Sequence, residues 1–244
     1  AQLPGTVTFL FQPAEEGPPA GEIGGAAVMI AQGAIDNPKV EAVFGLHVRP
    51  GRAGEVGYHA GGAMAGSNGI SIVVHGKQTH GAVPWGGIDP VVVSAQVING
   101  LQAIVSRQMN LALAPAVLTI ATIHGGVRGN IIPDSVVMTG TLRMFDETMQ
   151  KDIQARIRRT VTETAAAWGA TATVLITPGS PVLVNDPALT ARMQPSLERY
   201  ARRAVADIPW TPSEDFALFG KRVPSLFVFL GVTPDSARVE DAAS

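Results

Sequence analysis

Residues 6–17, TVTFLFQPAEEG, decide the fold class of this chain. Residues 6–11 are a nearly continuous apolar run, which is typical of a strand covered on both faces. Such a strand needs neighbours, and we expect earlier strands of the same sheet to lie outside this chain. Further along, residues 24–32 predict a helix of small residues that ends at Gly33, and residues 40–46 predict a second buried strand. This order of strand, helix and strand indicates an α/β domain with a parallel sheet.

Polar side chains follow both predicted strands. Glu15 and Glu16 come shortly after the first strand, and His47 comes directly after the second. The carboxyl ends of parallel strands meet at one edge of a sheet, so we expect these side chains to lie close together. Because successive side chains of an extended segment point apart, Glu16 can bind a metal ion while Glu15 faces a water molecule on it. Glu15 is then a candidate general base, and later an acid toward a leaving amine.

Each of these residues also has a purely structural interpretation. Adjacent carboxylates in a loop are usually solvated, and a histidine at a strand end is usually buried with its hydrogen bonds satisfied. A catalytic zinc site normally has about three protein ligands and one open position. Glu16 and His47 would supply only part of such a site.

The apolar pattern changes after the glycine-rich residues 61–66. The elements predicted from there are strand 69–75, a helix from Asp89-Pro90 to about 107, strands 117–124 and 136–145, a helix from 148 that ends at Gly169, and strand 171–177. The order β-α-β-β-α-β is that of a ferredoxin-like sandwich.

The α/β pattern resumes after a proline-rich linker, with a helix from Asp186-Pro187 toward Ala204 and a strand at residues 225–230. We therefore predict an α/β domain with an inserted ferredoxin-like α+β domain. Residues 1–66 and 180–244 form the two parts of the first domain, and residues 67–179 form the inserted one.

Composition argues against two classes of function. Apolar residues make up 46% of the chain and charged residues 16%, and no run of eighteen apolar residues occurs, so we predict no membrane-spanning segment. The net charge of -2 is spread without basic blocks, which argues against a nucleic-acid partner. The absence of cysteine and of a signal-peptide pattern is typical of a reducing compartment, and we predict a cytoplasmic protein.

Three residues of the inserted domain are weaker candidates when taken one at a time. His80 lies in a loop after the first strand of this domain, where a histidine is usually solvated. Asn130 lies in a segment that could be a simple turn. Arg143 falls inside a predicted strand, where its cation should reach solvent or meet an anion.

Five segments in the right order give the chain a family resemblance. They are residues 11–17, residues 45–48, residues 77–84 with Asp89-Pro90, residues 125–133 followed by 140–143, and residues 212–216. Together they resemble the dinuclear metallopeptidase and amidohydrolase family that includes aminoacylases, hippurate hydrolases and indoleacetyl-amino-acid hydrolases. The resemblance runs over nearly the whole chain. It implies that the inserted domain is a lid that also forms a homodimer.

The resemblance also implies roles for single residues. Glu15 matches the catalytic general base, and Glu16 and His47 match metal ligands. The lid residues that match are His80, which stabilises the oxyanion in the partner subunit's site, and Asn130 and Arg143, which hold the carboxylate of the substrate. The segment of residues 212–216 matches a region near the active site, but the sequence assigns no role to its Glu214 and Asp215.

The chain departs from the family pattern at both ends. The family places further ligands upstream of this chain and one near its own C-terminus, where this chain has VEDAAS at residues 239–244. The expected cofactor is a pair of divalent ions, zinc, manganese, cobalt or nickel, which this chain alone does not fully hold.

We therefore predict a metal-dependent amidohydrolase that cleaves N-acyl amino acids or related small amides. Its expected partners are a small-molecule substrate and a second copy of the chain. The alternatives are a truncated, non-catalytic dimerising or binding module, and a dipeptidase or carboxypeptidase of the same superfamily.

Overall fold

The computed structural model describes residues 4–17, 19 and 22–236, and its chain divides into two compact units. Unit 1 comprises Ala1–Met64 and Leu183–Ser244, and unit 2 comprises Ala65–Val182. The C-terminal residues 239–244, which depart from the family pattern, lie outside the described residues. Among the described helices, none is both long enough and apolar enough to cross a membrane.

The elements follow one another along the chain in this order: α1 (Gly25–Ala31), β1 (Val43–Arg52), β2 (Glu55–Tyr58), β3 (Gly61–Met64), β4 (Gly66–His75), β5 (Thr79–His80), α2 (Pro90–Ala103), β6 (Ala116–Gly125), β7 (Ile131–Ile132), β8 (Ser135–Met144), α3 (Glu147–Ala167), β9 (Thr171–Pro178), β10 (Leu183–Asn185), α4 (Pro187–Tyr200), β11 (Arg203–Ala206), α5 (Ala217–Gly220) and β12 (Ser225–Thr233). A single 3-10 turn spans Pro84–Gly86, and a π-helical turn, Ile104–Gln108, continues α2.

Unit 1 is built on a four-stranded mixed sheet with the order β1-β12-β2-β11. The pairs β1/β12 and β2/β11 are parallel, while β12 and β2 are antiparallel. The parallel pairs confirm the predicted α/β class, but the sheet is not purely parallel. Successive residues of β12 belong to two different apolar clusters, Phe227 and Phe229 to one and Leu226 and Val228 to the other. Both faces of this strand are therefore covered, because neighbouring side chains of a strand point to opposite faces.

The prediction of a strand at residues 6–11 is wrong, because the structure has no strand there. None of these residues pairs with a described strand, and the side chains of Val7, Phe9 and Phe11 are 59%, 77% and 88% exposed. A strand forms where its N–H and C=O groups meet those of a neighbour, and an apolar sequence alone does not supply that neighbour.

Unit 2 has an antiparallel four-stranded sheet with the order β6-β8-β4-β9, packed against α2 and α3. Strand order and helix placement agree with the predicted ferredoxin-like arrangement. Asp89 begins α2 as predicted, since its side chain accepts hydrogen bonds from Val91 N and Val92 N. The N-cap of α3 is Asp146, two residues before the predicted start, and it accepts from Met149 N at 2.7 Å.

Candidate functional site

Glu15 and Glu16 lie in a turn between an extended segment and α1, not at the end of a strand. The turn is closed by a hydrogen bond from Gly17 N to Ala14 O at 3.3 Å. Ala14 has φ +58°, an uncommon conformation for a residue other than glycine and one that recurs at functional sites. The turn gives the two carboxylates different surroundings, since Glu15 is half-buried and Glu16 is exposed.

His47 lies in the middle of β1 and not after it, because the strand continues beyond the predicted end at residue 46 to Arg52. Its position in the ladder is opposite Phe229. The ring lies edge-on to Trp210, with centroids 6.0 Å apart, and 6.4 Å from the ring of Phe227. Nδ1 donates a hydrogen bond to Val48 O at 2.6 Å. That bond fixes the tautomer and leaves Nε2 as the basic nitrogen, which is the usual arrangement of a metal-binding histidine.

A cleft of about 950 Å³ in unit 1 brings several of these groups together. Its lining includes Glu15, His47 and Glu214, together with Gln12 and Arg192. Glu16 is not part of this lining. The structure therefore places the predicted base and one predicted ligand in the same cleft, and the other predicted ligand outside it.

Two of the carboxylates that line the cleft, those of Glu15 and Glu214, lie close to a third, that of Asp215. The nearest oxygens of Glu15, Glu214 and Asp215 all lie within 4.8 Å of one another, and no other group of three metal-ligating side chains occurs in the described part of the chain. Glu214 is only 6% exposed, and one of its oxygens accepts from Phe216 N at 3.2 Å. Burial is the largest cause that raises the pKa of Glu214 to about 7. The charge and hydrogen bond of Glu15 and the charge of Asp215 raise this pKa further, whereas the hydrogen bond from the Phe216 N–H lowers it.

The described side chains that line the cleft are of the types that bind divalent ions, but they are too few to hold two ions. His47 offers Nε2, and Glu15 and Glu214 offer carboxylate oxygens, which zinc, manganese, cobalt and nickel all accept. Asp215 already uses both of its oxygens to accept hydrogen bonds, from Gln12 Nε2 and from Ala26 N. A dinuclear centre would need ligands beyond those that the described residues of unit 1 bring to the cleft.

The remaining predicted residues belong to unit 2. His80 lies on β5 opposite Ile131, and the next residue, Gly81, donates its N–H to Asn130 O at 2.8 Å. The structure therefore brings exposed His80 and exposed Asn130 together where β5 and β7 form a short antiparallel pair. Arg143 lies elsewhere in unit 2, near the carboxyl end of β8.

Sequence reasoning missed one member of the site and left two without a role. No feature of the sequence marks Gln12, although it lines the cleft and donates to Asp215. Only the resemblance of residues 212–216 to a family segment marks Glu214 and Asp215. That segment was the only signal in the sequence, since no local spacing connects residue 215 with residues 12 and 26.

Comparison with known proteins gives consistent matches over most of the chain. A sequence profile described as Peptidase family M20/M25/M40 matches residues 1–242. The N-acetyl-L-cysteine deacetylase of Bacillus subtilis (strain 168) is 37% identical over 234 residues, which are 96% of this chain and 54% of the relative. Thermostable carboxypeptidase 2 of Saccharolobus solfataricus is 36% identical over 231 residues, which are 94% of this chain and 57% of the relative.

A solved structure extends the similarity to the fold. A dinuclear metal binding peptidase from the M20 family of Bacillus subtilis matches with a TM-score of 0.73 and 30% identity, and the match covers 94% of this chain and 57% of that one. This chain thus spans a little over half the length of the relatives that it matches.

Proposed function

Because the chain belongs to peptidase family M20/M25/M40, we propose that it carries part of the active site of a metal-dependent amidohydrolase. The proposed substrates are N-acyl amino acids and related small amides, which are cleaved to a carboxylate and an amine. The similarity to a protein named N-acetyl-L-cysteine deacetylase supports this substrate class. The similarity to a dinuclear metal binding peptidase supports two divalent ions as the cofactor.

The observation that carries this proposal is the common cleft of Glu15 and His47 in unit 1. Glu15 is half-buried, and His47 has its Nδ1 engaged and its Nε2 available. A carboxylate base and an imidazole ligand that line one cleft are a combination that metal-assisted hydrolysis uses.

The protein groups would act in a simple sequence. A divalent ion held by His47 Nε2, with Glu16 as a further proposed ligand, would supply Lewis-acid activation of water and of the amide carbonyl. Glu15 would accept a proton from the attacking water and then deliver it to the nitrogen of the leaving amine. The hydrogen bond that Glu214 shares with Glu15 would restrict the orientation of the Glu15 carboxyl group.

Residues of unit 2 complete the proposal. His80 would stabilise the oxyanion in the partner subunit's site, and Asn130 and Arg143 would hold the free carboxylate of the substrate. A guanidinium suits this last task because its fork of N–H donors matches the two carboxylate oxygens. The proposed assembly is a homodimer formed through unit 2.

A second candidate is a carboxypeptidase or dipeptidase, which the similarity to thermostable carboxypeptidase 2 favours. Its substrates share an amide bond next to a free carboxylate, so the same residues would serve. A non-catalytic binding module is the third candidate. The small number of donors in the cleft and the position of Glu16 outside it favour that one.

The decisive experiment combines metal analysis with activity. The purified chain is loaded separately with zinc, manganese, cobalt and nickel, and bound metal and turnover of N-acetyl amino acids and of dipeptides are measured. We expect Glu15→Gln to lower kcat by at least about 10²-fold, the usual lower range for loss of a general base, with the metal content unchanged. Glu22→Gln, at an exposed acid of the same loop, is the matched control and should keep wild-type turnover.

Each candidate predicts a different result. Full turnover in Glu15→Gln would refute the general base assignment. Hydrolysis of dipeptides but not of N-acetyl amino acids would favour the carboxypeptidase, and a chain without bound metal and without turnover would favour the binding module. Two tightly bound ions together with N-acetyl amino acid hydrolysis would exclude that module.

A further inference from the structure

Asp215 contacts both ends of the loop that carries Glu15 and Glu16. Its Oδ1 accepts a hydrogen bond from Gln12 Nε2 at 2.7 Å, and its Oδ2 accepts one from Ala26 N, also at 2.7 Å. Gln12 precedes Glu15 by three residues, and Ala26 lies in the first turn of α1. One carboxylate, 189 and 203 residues away along the chain, therefore closes the base of this loop.

Both contacts are of a strong kind. Hydrogen bonds from N–H donors to an ionised carboxylate are shorter and about twice as strong as those between neutral groups. Gly24, the residue before α1, offers no side-chain cap, so Asp215 satisfies an N–H group that the helix itself leaves open. These two bonds also offset the unfavourable approach of Asp215 to the carboxylates of Glu15 and Glu214.

Gly25 makes room for this contact. It has φ +75°, which side chains rarely adopt, and a Cβ atom at this position would overlap Asp215 Oδ2. Gly25 N also donates to Pro13 O at 3.0 Å, which joins the two ends of the loop directly. Backbone and side-chain contacts thus hold the same two points together.

We infer that Asp215 is a positioning residue that holds Gln12 and Ala26 together and so fixes Glu15 in the cleft. The role in catalysis rests on the function proposed above for Glu15. The closure of the loop is a property of the fold, and it can be measured without any substrate.

The Gln12 and Asp215 side chains allow an exchange experiment. Gln12→Glu alone places two carboxylates at hydrogen-bonding distance and replaces the bond with repulsion. When Asp215→Asn is added, the new amide nitrogen can donate to the new carboxylate at position 12, and its oxygen can still accept from Ala26 N. The double variant restores both hydrogen bonds and the net charge of the pair.

The first measurement is hydrogen exchange of the Ala26 amide in the metal-free chain, and the second is kcat and KM for an N-acetyl amino acid in the metal-loaded chain. We expect Asp215→Ala and Gln12→Glu each to speed Ala26 exchange by about tenfold or more through local opening of the loop. The same variants should lower kcat by about tenfold while KM changes little, since they displace the base and not the substrate. The double variant should return both quantities to near wild-type values.

Asp186→Ala is the matched control. Asp186 is also a helix-capping aspartate of unit 1, and it accepts from Leu189 N at 2.6 Å. Its loss should lower the Tm but leave Ala26 exchange and kcat unchanged. If Asp215→Ala does not fold, Gln12→Ala removes one contact only, and it should still speed Ala26 exchange.

Unchanged Ala26 exchange in the folded variants would overturn the inference. Fast exchange with undiminished kcat, or failure of the double variant to recover, would refute the positioning role. If the wild-type chain hydrolyses no substrate, the proposed function fails, but the exchange data still decide whether Asp215 closes the loop.

Discussion

Glu214 has a carboxyl group whose charge is disfavoured by its surroundings. It is almost completely buried, and burial is the largest cause that raises its pKa from 4.5 to about 7, followed by Glu15 and Asp215. In the unfolded chain the pKa returns to its ordinary value. Between pH 4.5 and about 7 the folded chain therefore holds more protons than the unfolded chain. The favourable contribution of Glu214 to the free energy of unfolding is therefore complete below pH 4.5, and it is lost as the pH rises through about 7.

We predict that Glu214→Gln removes this pH dependence. The amide cannot ionise, and its oxygen can still accept from Phe216 N. The metal-free variant should match wild type in free energy of unfolding near pH 4 and exceed it at pH 8, by on the order of 3 kcal/mol at most. Urea unfolding at several pH values measures the difference, with Glu163→Gln at an exposed position of α3 as the control. A difference that stays constant from pH 4 to pH 8 would contradict the proposed cause.

At the scale of single elements, α2 contains one unfavourable polar group. Ser94 is completely buried against the core of unit 2, and its hydroxyl has no hydrogen-bond partner among the described residues. We predict that Ser94→Ala raises the free energy of unfolding by about 0.5–2 kcal/mol, because it removes an unsatisfied buried hydroxyl and introduces a better helix former. Ser106→Ala is the control, since Ser106 Oγ donates to Gln102 O at 2.9 Å. A stability loss in the Ser94 variant, measured by thermal unfolding, would show that the hydroxyl has a partner.

Local signals in the sequence predicted the helices better than the short strands. Asp89 and Asp186 are N-caps in the structure as predicted, because capping depends on residues only two or three positions apart. The short strands β2, β3, β10 and β11 were missed. They contain three or four residues, too few for a periodic pattern, and β2 pairs with residues from the far end of unit 1.

The same distinction applies to the candidate site. The sequence marked Glu15 and His47 by their position near apolar runs, and both line the cleft. It could not assign Asp215, whose hydrogen-bond partners are Gln12 and Ala26. Such contacts depend on how distant parts of the chain pack, which no local spacing reveals.

For the whole molecule, each hydrophobic core lies within one unit. The largest cluster of unit 2 is formed by its sheet with α2 and α3, and it includes Leu101 and Ile157. The clusters of unit 1 lie on the two faces of its sheet, and one of them includes Leu183 and Phe229. Because packing within a core is what makes unfolding cooperative, we expect the units to unfold as separate cooperative blocks.

Leu101→Ala in unit 2 and Leu183→Ala in unit 1 test this expectation with the same chemical change. Both side chains are fully buried, so each substitution should cost about 2–5 kcal/mol through lost apolar contacts and the cavity left behind. Differential scanning calorimetry of the metal-free chain should resolve two transitions, and each variant should lower the midpoint of only one. The unaffected transition is the internal control, because a general loss of stability would move both. Equal shifts of a single transition in the two variants would show instead that the chain unfolds as one block.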